Sequence, residues 1–178
     1  VREINKIIME ECKISFQIEH GFYKIILENS FLKISVFPEY GAKIWDIIYK
    51  PKDYNFLFHH PRVEPRTPVF GMPVDNWWCG GMDECFPTGW TCTYEGENLP
   101  DLGELWSLPW TYDITNQSSE EIEIYMKRET IIYPLLVERW MNLKRGSHSL
   151  SMLHKITNLS SDRLKLNWGF HPTFNISP

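Results

Sequence analysis

The sequence predicts an all-β fold, an antiparallel β-sandwich, and three observations carry the prediction. Apolar side chains recur every second residue in one segment after another, the period of a strand with one buried face. Clusters of Gly, Asn, Asp, Ser and Pro punctuate those segments at short intervals. No stretch holds a 3.6-residue apolar period long enough to specify a helix, which leaves sheet on sheet as the way to bury the apolar faces.

Along the chain, strands at about 12–19 and 22–28 flank His20-Gly21, a hairpin turn. The turn at 28–30 leads to a strand where Leu32, Ile34 and Val36 alternate with Lys33 and Ser35, and 38–41 turns the chain into a strand at about 43–49. Alternation resumes at about 110–116. Ile122, Ile124 and Met126 then alternate with Glu121, Glu123 and Tyr125, and a strand follows at about 135–144. Leu150, Met152, His154 and Ile156 alternate with Ser151, Leu153, Lys155 and Thr157, and a last strand is expected at about 163–170. Turns at 116–119, Arg145-Gly146 and 158–162 separate these elements.

With 178 residues, one domain covering 1–178 is expected, long enough to bury a core without disulfides or a metal. A net charge of −5 with no basic run argues against nucleic acid or an anionic membrane surface as partner. No apolar run approaches the ~20 residues of a membrane-spanning helix. The opening VREINKIIME is neither a signal core nor a cleavage site, so a cytoplasmic chain is expected. Cys12, Cys79, Cys85 and Cys92 form no C-x-x-C pair, and reduced thiols are the expectation. The N-x-S triplets at Asn116, Asn158 and Asn175 carry no implication for glycosylation without a secretory signal.

The segment between about 51 and 109 breaks the pattern. It holds eight of the 12 prolines, and Trp77, Trp78, Trp90, Trp106 and Trp110 fall within or against it. So many aromatic residues in a long irregular segment point to ordered loops over one face of the sandwich, and to the functional site. Its richest piece is NWWCGGMDECFPTG at 76–89. Trp78 beside Asp83 and Glu84 suits a sugar, whose C–H faces pack on indole and whose hydroxyls donate to carboxylates. The same residues equally suit a folded loop with core tryptophans and turn acids. In PDLGELWSLPW at 100–110, Glu104 is either an inward carboxylate beside Trp106 or a solvated strand-end acid.

The third piece is WGFHPTFNI at 168–176. His171 follows an apolar strand, and Pro172 biases it towards an extended backbone at the mouth of a sheet. An imidazole there serves as a general acid or base, or as a structural group. His154, in phase with Met152 and Ile156, reads as a core or pocket-wall residue. His59-His60 with Cys79, Cys85 and Cys92 matches no standard zinc spacing, and no metal or cofactor is expected. Arg62 and Arg66 in the Pro-rich loop are read as surface arginines, with an anion contact as the alternative.

Together these pieces resemble the aldose 1-epimerase (galactose mutarotase-like) superfamily. The resemblance runs through LENSFLKISVFPEYGAKIWDIIYK, GGMDECFPTG and GELWSLPW, and is most specific in ERWMNLKRGSHSLSMLHKITNLSSDRLKLNWGFHPTFNI. It implies the large antiparallel supersandwich, here incomplete at its C-terminal side. It also implies His171 as the acid that protonates the ring oxygen of a cyclic aldose while a carboxylate takes the anomeric proton. Trp78, Asp83, Glu84, Glu104 and Trp106 would hold the sugar. Two departures stand out. Similar sequences commonly carry a His where this chain has Leu102, and their base is a Glu near the end of a longer chain, with no counterpart before Pro178. Asp83, Glu84 and Glu104 are the substitutes on offer.

The resulting expectation is a carbohydrate-binding domain that interconverts anomers of a free or phosphorylated aldose if the complete protein is active. The alternatives are a non-catalytic sugar-binding or regulatory module, and a carbohydrate-cleaving enzyme using two loop carboxylates. Unpaired strand edges would also permit self-association.

Overall fold

The structure, a computed structural model, describes residues 10–176; most of the N-terminal segment read above for a targeting signal lies outside the described residues. Among those residues there are thirteen strands, three single 3-10 turns and no α-helix. In chain order the strands are β1 (Lys13–Glu19), β2 (Phe22–Glu28), β3 (Leu32–Phe37), β4 (Lys43–Tyr49), β5 (Tyr54–Asn55), β6 (Met82–Cys85), β7 (Cys92–Tyr94), β8 (Glu97–Leu99), β9 (Thr111–Gln117), β10 (Glu121–Glu129), β11 (Leu135–Lys144), β12 (Leu150–Asn158) and β13 (Gly169–Pro172).

Two antiparallel sheets form the sandwich. The larger runs β1-β2-β3-β4-β6-β13, with β5 beside β4; the smaller runs β12-β11-β10-β9; β7 and β8 form a separate hairpin. Alternation places the core as expected. Ile25, Leu27, Ile34, Val36 and Ile44 face Ile122, Ile124, Met126, Leu135, Val137, Met141 and Leu143 across the layers. Asn29, in the β2–β3 turn, ties the sheets at one end. Its Oδ1 accepts the Phe31 and Leu32 amides, and its Nδ2 donates to Lys144 O and Ser147 O.

A second buried cluster lies on the other face of the large sheet, where the 51–109 segment folds over it. Phe22, Phe37, Tyr40, Trp45, Val74, Cys79, Cys85, Leu102 and Trp106 form it. Trp106 is therefore a core residue, its indole N–H donating to Asp101 O at 3.0 Å.

Two corrections to the sequence reading follow. The last strand begins only at Gly169, whereas 163–168 runs as irregular chain and is mostly exposed. Its alternation meets no partner strand; Asn167 N–H donates to Pro87 O instead. The second correction is β6. The acids Asp83 and Glu84 are not turn residues: they occupy an interior strand of the large sheet, between β4 and β13. Both faces of this strand are covered, so its inward residues do not alternate apolar with polar. Each acid instead meets a buried cation, one per face.

Candidate functional site

The site is built on Gly80-Gly81, which lead into β6. Both have positive φ, at +103° and +78°, and a Cβ on Gly80 would stand 2.0 Å from Phe58 O. Only glycine lets the chain press this close. The carbonyl of Gly80 accepts Lys43 Nζ at 2.8 Å, and the same ammonium pairs with Asp83 Oδ2 at 2.6 Å. Lys43 and Asp83 are both buried, so the pair is desolvated, and the second oxygen, Asp83 Oδ1, has no hydrogen-bond partner among the described residues.

His171 on β13 is the register partner of Asp83 on β6, so their side chains leave the same face of the sheet. The imidazole is exposed and makes no hydrogen bond or ion pair among the described residues. The chain continues past it in strand-like pairing, with Thr173 N–H donating to Gly81 O at 2.9 Å. Thr173 thus shares the face of His171, and its Oγ1 accepts the Trp78 indole N–H at 3.2 Å. Trp78 stacks on Phe58, ring centroids 6.2 Å apart, and meets His60 edge-on at 5.7 Å. The outer face therefore presents an open imidazole beside a two-ring aromatic platform.

The opposite face of β6 carries a different cluster. Glu84, 3% exposed, accepts Arg139 Nη1 at 2.8 Å and shares a hydrogen bond with His154 Nε2 at 2.9 Å, both through Oε1; Trp168 Nε1 reaches Oε2 at 3.4 Å. Arg139, 1% exposed, also donates to Ala42 O at 2.7 Å and lies over the Trp110 ring. Burial alone would push the Glu84 carboxyl up. The Arg139 charge and the His154 hydrogen bond outweigh it and hold the group at about 2. His154 packs its ring on Trp168 and Phe170, fastening β13 to the sandwich interior one residue before His171.

Glu104 lies apart from both faces. Fully buried, it accepts the Ile131 and Ile132 amides through Oε2 at 2.5 and 2.8 Å and the Tyr133 amide through Oε1 at 3.2 Å. It anchors the β10–β11 turn and offers no oxygen to a ligand. Leu102 is buried in the cluster around Trp106. Of the six residues singled out from the sequence, the structure brings His171, Trp78 and Asp83 to one face. Glu84 turns inward behind them, and Glu104 and Trp106 serve the frame. A groove of about 690 Å³ elsewhere on the surface is lined by His20, Phe22, Glu39, Arg66 and their neighbours, and by none of the six.

Sequence reasoning missed Lys43, Arg139, Thr173 and the contact of His60 with the Trp78 ring. Arg139 had a signal: it sits in phase with the inward Val137 and Met141, and a cation there requires a buried carboxylate. Lys43 had none, since its partner lies forty residues away in a strand that does not alternate. His59 is stacked on Trp45 at 3.7 Å, with Nε2 2.8 Å from Trp45 O. No group of three or more His, Cys, Asp or Glu side chains converges on a metal position among the described residues. No helix of those residues is long and apolar enough to cross a membrane.

No protein-family model matches the chain, and no curated protein is significantly similar to it. Solved structures are. A galactose mutarotase-like protein from Clostridium acetobutylicum superposes with a TM-score of 0.65 at 14% identity, over 93% of this chain and 54% of that one. A galactose mutarotase related enzyme from Lactobacillus acidophilus gives 0.59 at 20% identity, over 87% and 50%. A galactose mutarotase-like protein from Lactobacillus casei gives 0.58 at 18%, over 86% and 50%. The chain has the galactose mutarotase-like fold, an antiparallel β-sandwich spanning about half the length of these structures.

Proposed function

We propose that the outer face around His171 binds a cyclic sugar and that His171 acts there as a proton donor in anomer interconversion. One observation carries the reading: an exposed imidazole with no partner of its own stands on the same sheet face as the Trp78 platform, in this fold. The indole accepts the C–H face of a pyranose, and the imidazole reaches its edge. Protonation of the ring oxygen by His171, with loss of the anomeric hydroxyl proton to a base, opens the ring. Rotation about C1–C2 and closure on the other face give the other anomer. The chemistry is proton transfer within a bound, oriented sugar.

A second reading, a sugar-binding module without turnover, is favoured by one specific feature. Asp83 and Glu84 each hold a buried cation, Glu104 holds three amides, and all three carboxylates, the unpartnered Asp83 Oδ1 included, are buried away from a sugar on the surface. The same feature weighs against glycoside cleavage by two loop carboxylates. Adjacent strand residues face opposite ways, so Asp83 and Glu84 cannot flank one bond.

NMR of freshly dissolved α-galactose and α-glucose tests the proposal. Acceleration of anomer equilibration by the wild type, lost in His171→Asn with sugar binding retained, is the expected result. Saturable binding without acceleration would leave the module reading, and release of reducing sugar from a glycoside would overturn both.

A further inference from the structure

On the sugar-binding reading, we infer that His60 is a second imidazole of the site, donating from Nε2–H to one hydroxyl of a sugar held against Trp78. The backbone imposes the tautomer of this ring. The Arg62 amide N–H donates to His60 Nδ1 at 3.1 Å. An amide N–H can only donate, so Nδ1 carries the lone pair and the neutral ring carries its proton on Nε2. Among the described residues that Nε2–H has no hydrogen-bond partner.

Its position is fixed from two sides. The His60 backbone N–H donates to Cys79 O at 2.8 Å, tying the residue to the strand entry at Gly80-Gly81. The ring stands nearly perpendicular to both platform rings, at 76° to Trp78 and 83° to Phe58, with centroids 5.7 and 6.4 Å away. It therefore meets the platform rings at a steep angle instead of stacking on them, and it is half-buried. An indole face alone discriminates poorly among sugars, because every pyranose has a C–H face. A directional donor beside that face selects the hydroxyl it can reach. The platform supplies contact area, and His60 supplies stereochemical preference.

Galactose and glucose binding, followed by tryptophan fluorescence, tests this in the wild type, His60→Phe and His60→Gln. His60→Phe keeps a ring against Phe58 and Trp78 but removes Nε2–H, and should weaken the preferred sugar about tenfold, the worth of one good hydrogen bond. His60→Gln returns an N–H near the Nε2 position and should recover most of that loss. Monodeoxy sugars then identify the hydroxyl. Its removal should weaken wild-type binding about tenfold and leave His60→Phe unchanged, a coupling that a merely structural role would not produce. Nitrogen-15 NMR of the imidazole, which needs no variant, should find the proton on Nε2. Unchanged affinity in His60→Phe, losses that single out no hydroxyl, or a proton on Nδ1 would each overturn the inference while wild-type sugar binding stands. A wild type that binds neither sugar overturns the sugar-binding reading, and this inference with it.

Discussion

Replacing Arg139 by Met removes the cation that holds Glu84 ionised inside the sandwich, and the consequence can be worked through. The side chain is 1% exposed and donates to both Glu84 Oε1 and Ala42 O, so its loss strands a buried carboxylate and a buried carbonyl together. Breaking a buried pair from one side costs about 3–5 kcal/mol, a large part of a small domain's stability. The acid limb of the stability curve gives an independent reading. In the folded wild type the Glu84 carboxyl lies at about 2, against an ordinary 4.5. Because the folded value is the lower one, the unfolded chain takes up the proton first as pH falls. The stabilisation is complete above about 4.5 and is lost on the way down to about 2. That gap is worth about 3 kcal/mol. Urea unfolding monitored by tryptophan fluorescence, at pH 7 and at pH 3, measures both quantities. Arg139→Met should lose several kcal/mol at pH 7 and be less sensitive to acid over this interval, because its carboxyl has lost the charge that depressed it. Glu84→Gln with Arg139→Met should be more stable at pH 7 than Arg139→Met alone. An Arg139→Met protein within about 1 kcal/mol of wild type at pH 7 would refute the claim that this pair is a desolvated, mutually dependent unit.

Other outcomes follow from neighbouring features. Glu104→Ala leaves the three amides at 131–133 without their acceptor and should cost about 3 kcal/mol in urea unfolding, with sugar affinity unchanged in any folded fraction. Gly41→Ala should abolish soluble folding, since a Cβ at φ +61° would lie 2.2 Å from Trp106 O; Gly21→Ala, at φ +83° in open space, should lower stability by only about 1 kcal/mol. Thiol labelling at pH 8 should modify half-buried Cys92 first. Cys79 and Cys85 are buried, and burial pushes both thiols up, Cys85 to about 11, so they should react only on unfolding. Equal labelling rates for the three would contradict that placement.

The smaller sheet was legible because its strands have one wet face and one dry face. Ile122, Ile124 and Met126 announce β10 by alternation, and Leu135 to Lys144 was bounded to the residue by the turns on either side. What escaped had two physical causes. First, β6 is covered on both faces and satisfies each with an ion pair, so it reads as a run of turn-like acids with poor strand propensity. Second, three carboxylates in aromatic surroundings look alike in sequence, yet their fates depend on distant partners: Lys43 for Asp83, Arg139 for Glu84 and the amides at 131–133 for Glu104. The extended strand position of His171 was readable because Pro172 constrains the residue before it. His60 was not, since its significance lies in which nitrogen faces the Arg62 amide.

The two acids of β6 make the strand a hinge between frame and site. Their spacing of one residue sends Glu84 into the sandwich and Asp83 to the outer face, so a single short strand is pinned from both sides. Glu84 fixes the depth of β6 through Arg139, and holds its neighbour β13 through His154 and the rings of Trp168 and Phe170. Asp83, held by Lys43, fixes the turn at Gly80-Gly81 from which Trp78 and Thr173 take their places. Among the described residues the His171 imidazole has no hydrogen-bond or ion-pair partner, while the neighbouring strand is held on both faces. On the proposed sugar-binding reading, loosening either ion pair should impair the orientation of a bound sugar before it alters the imidazole itself. In a proton transfer that depends on reach, a displacement of about 1 Å in β13 is enough to matter.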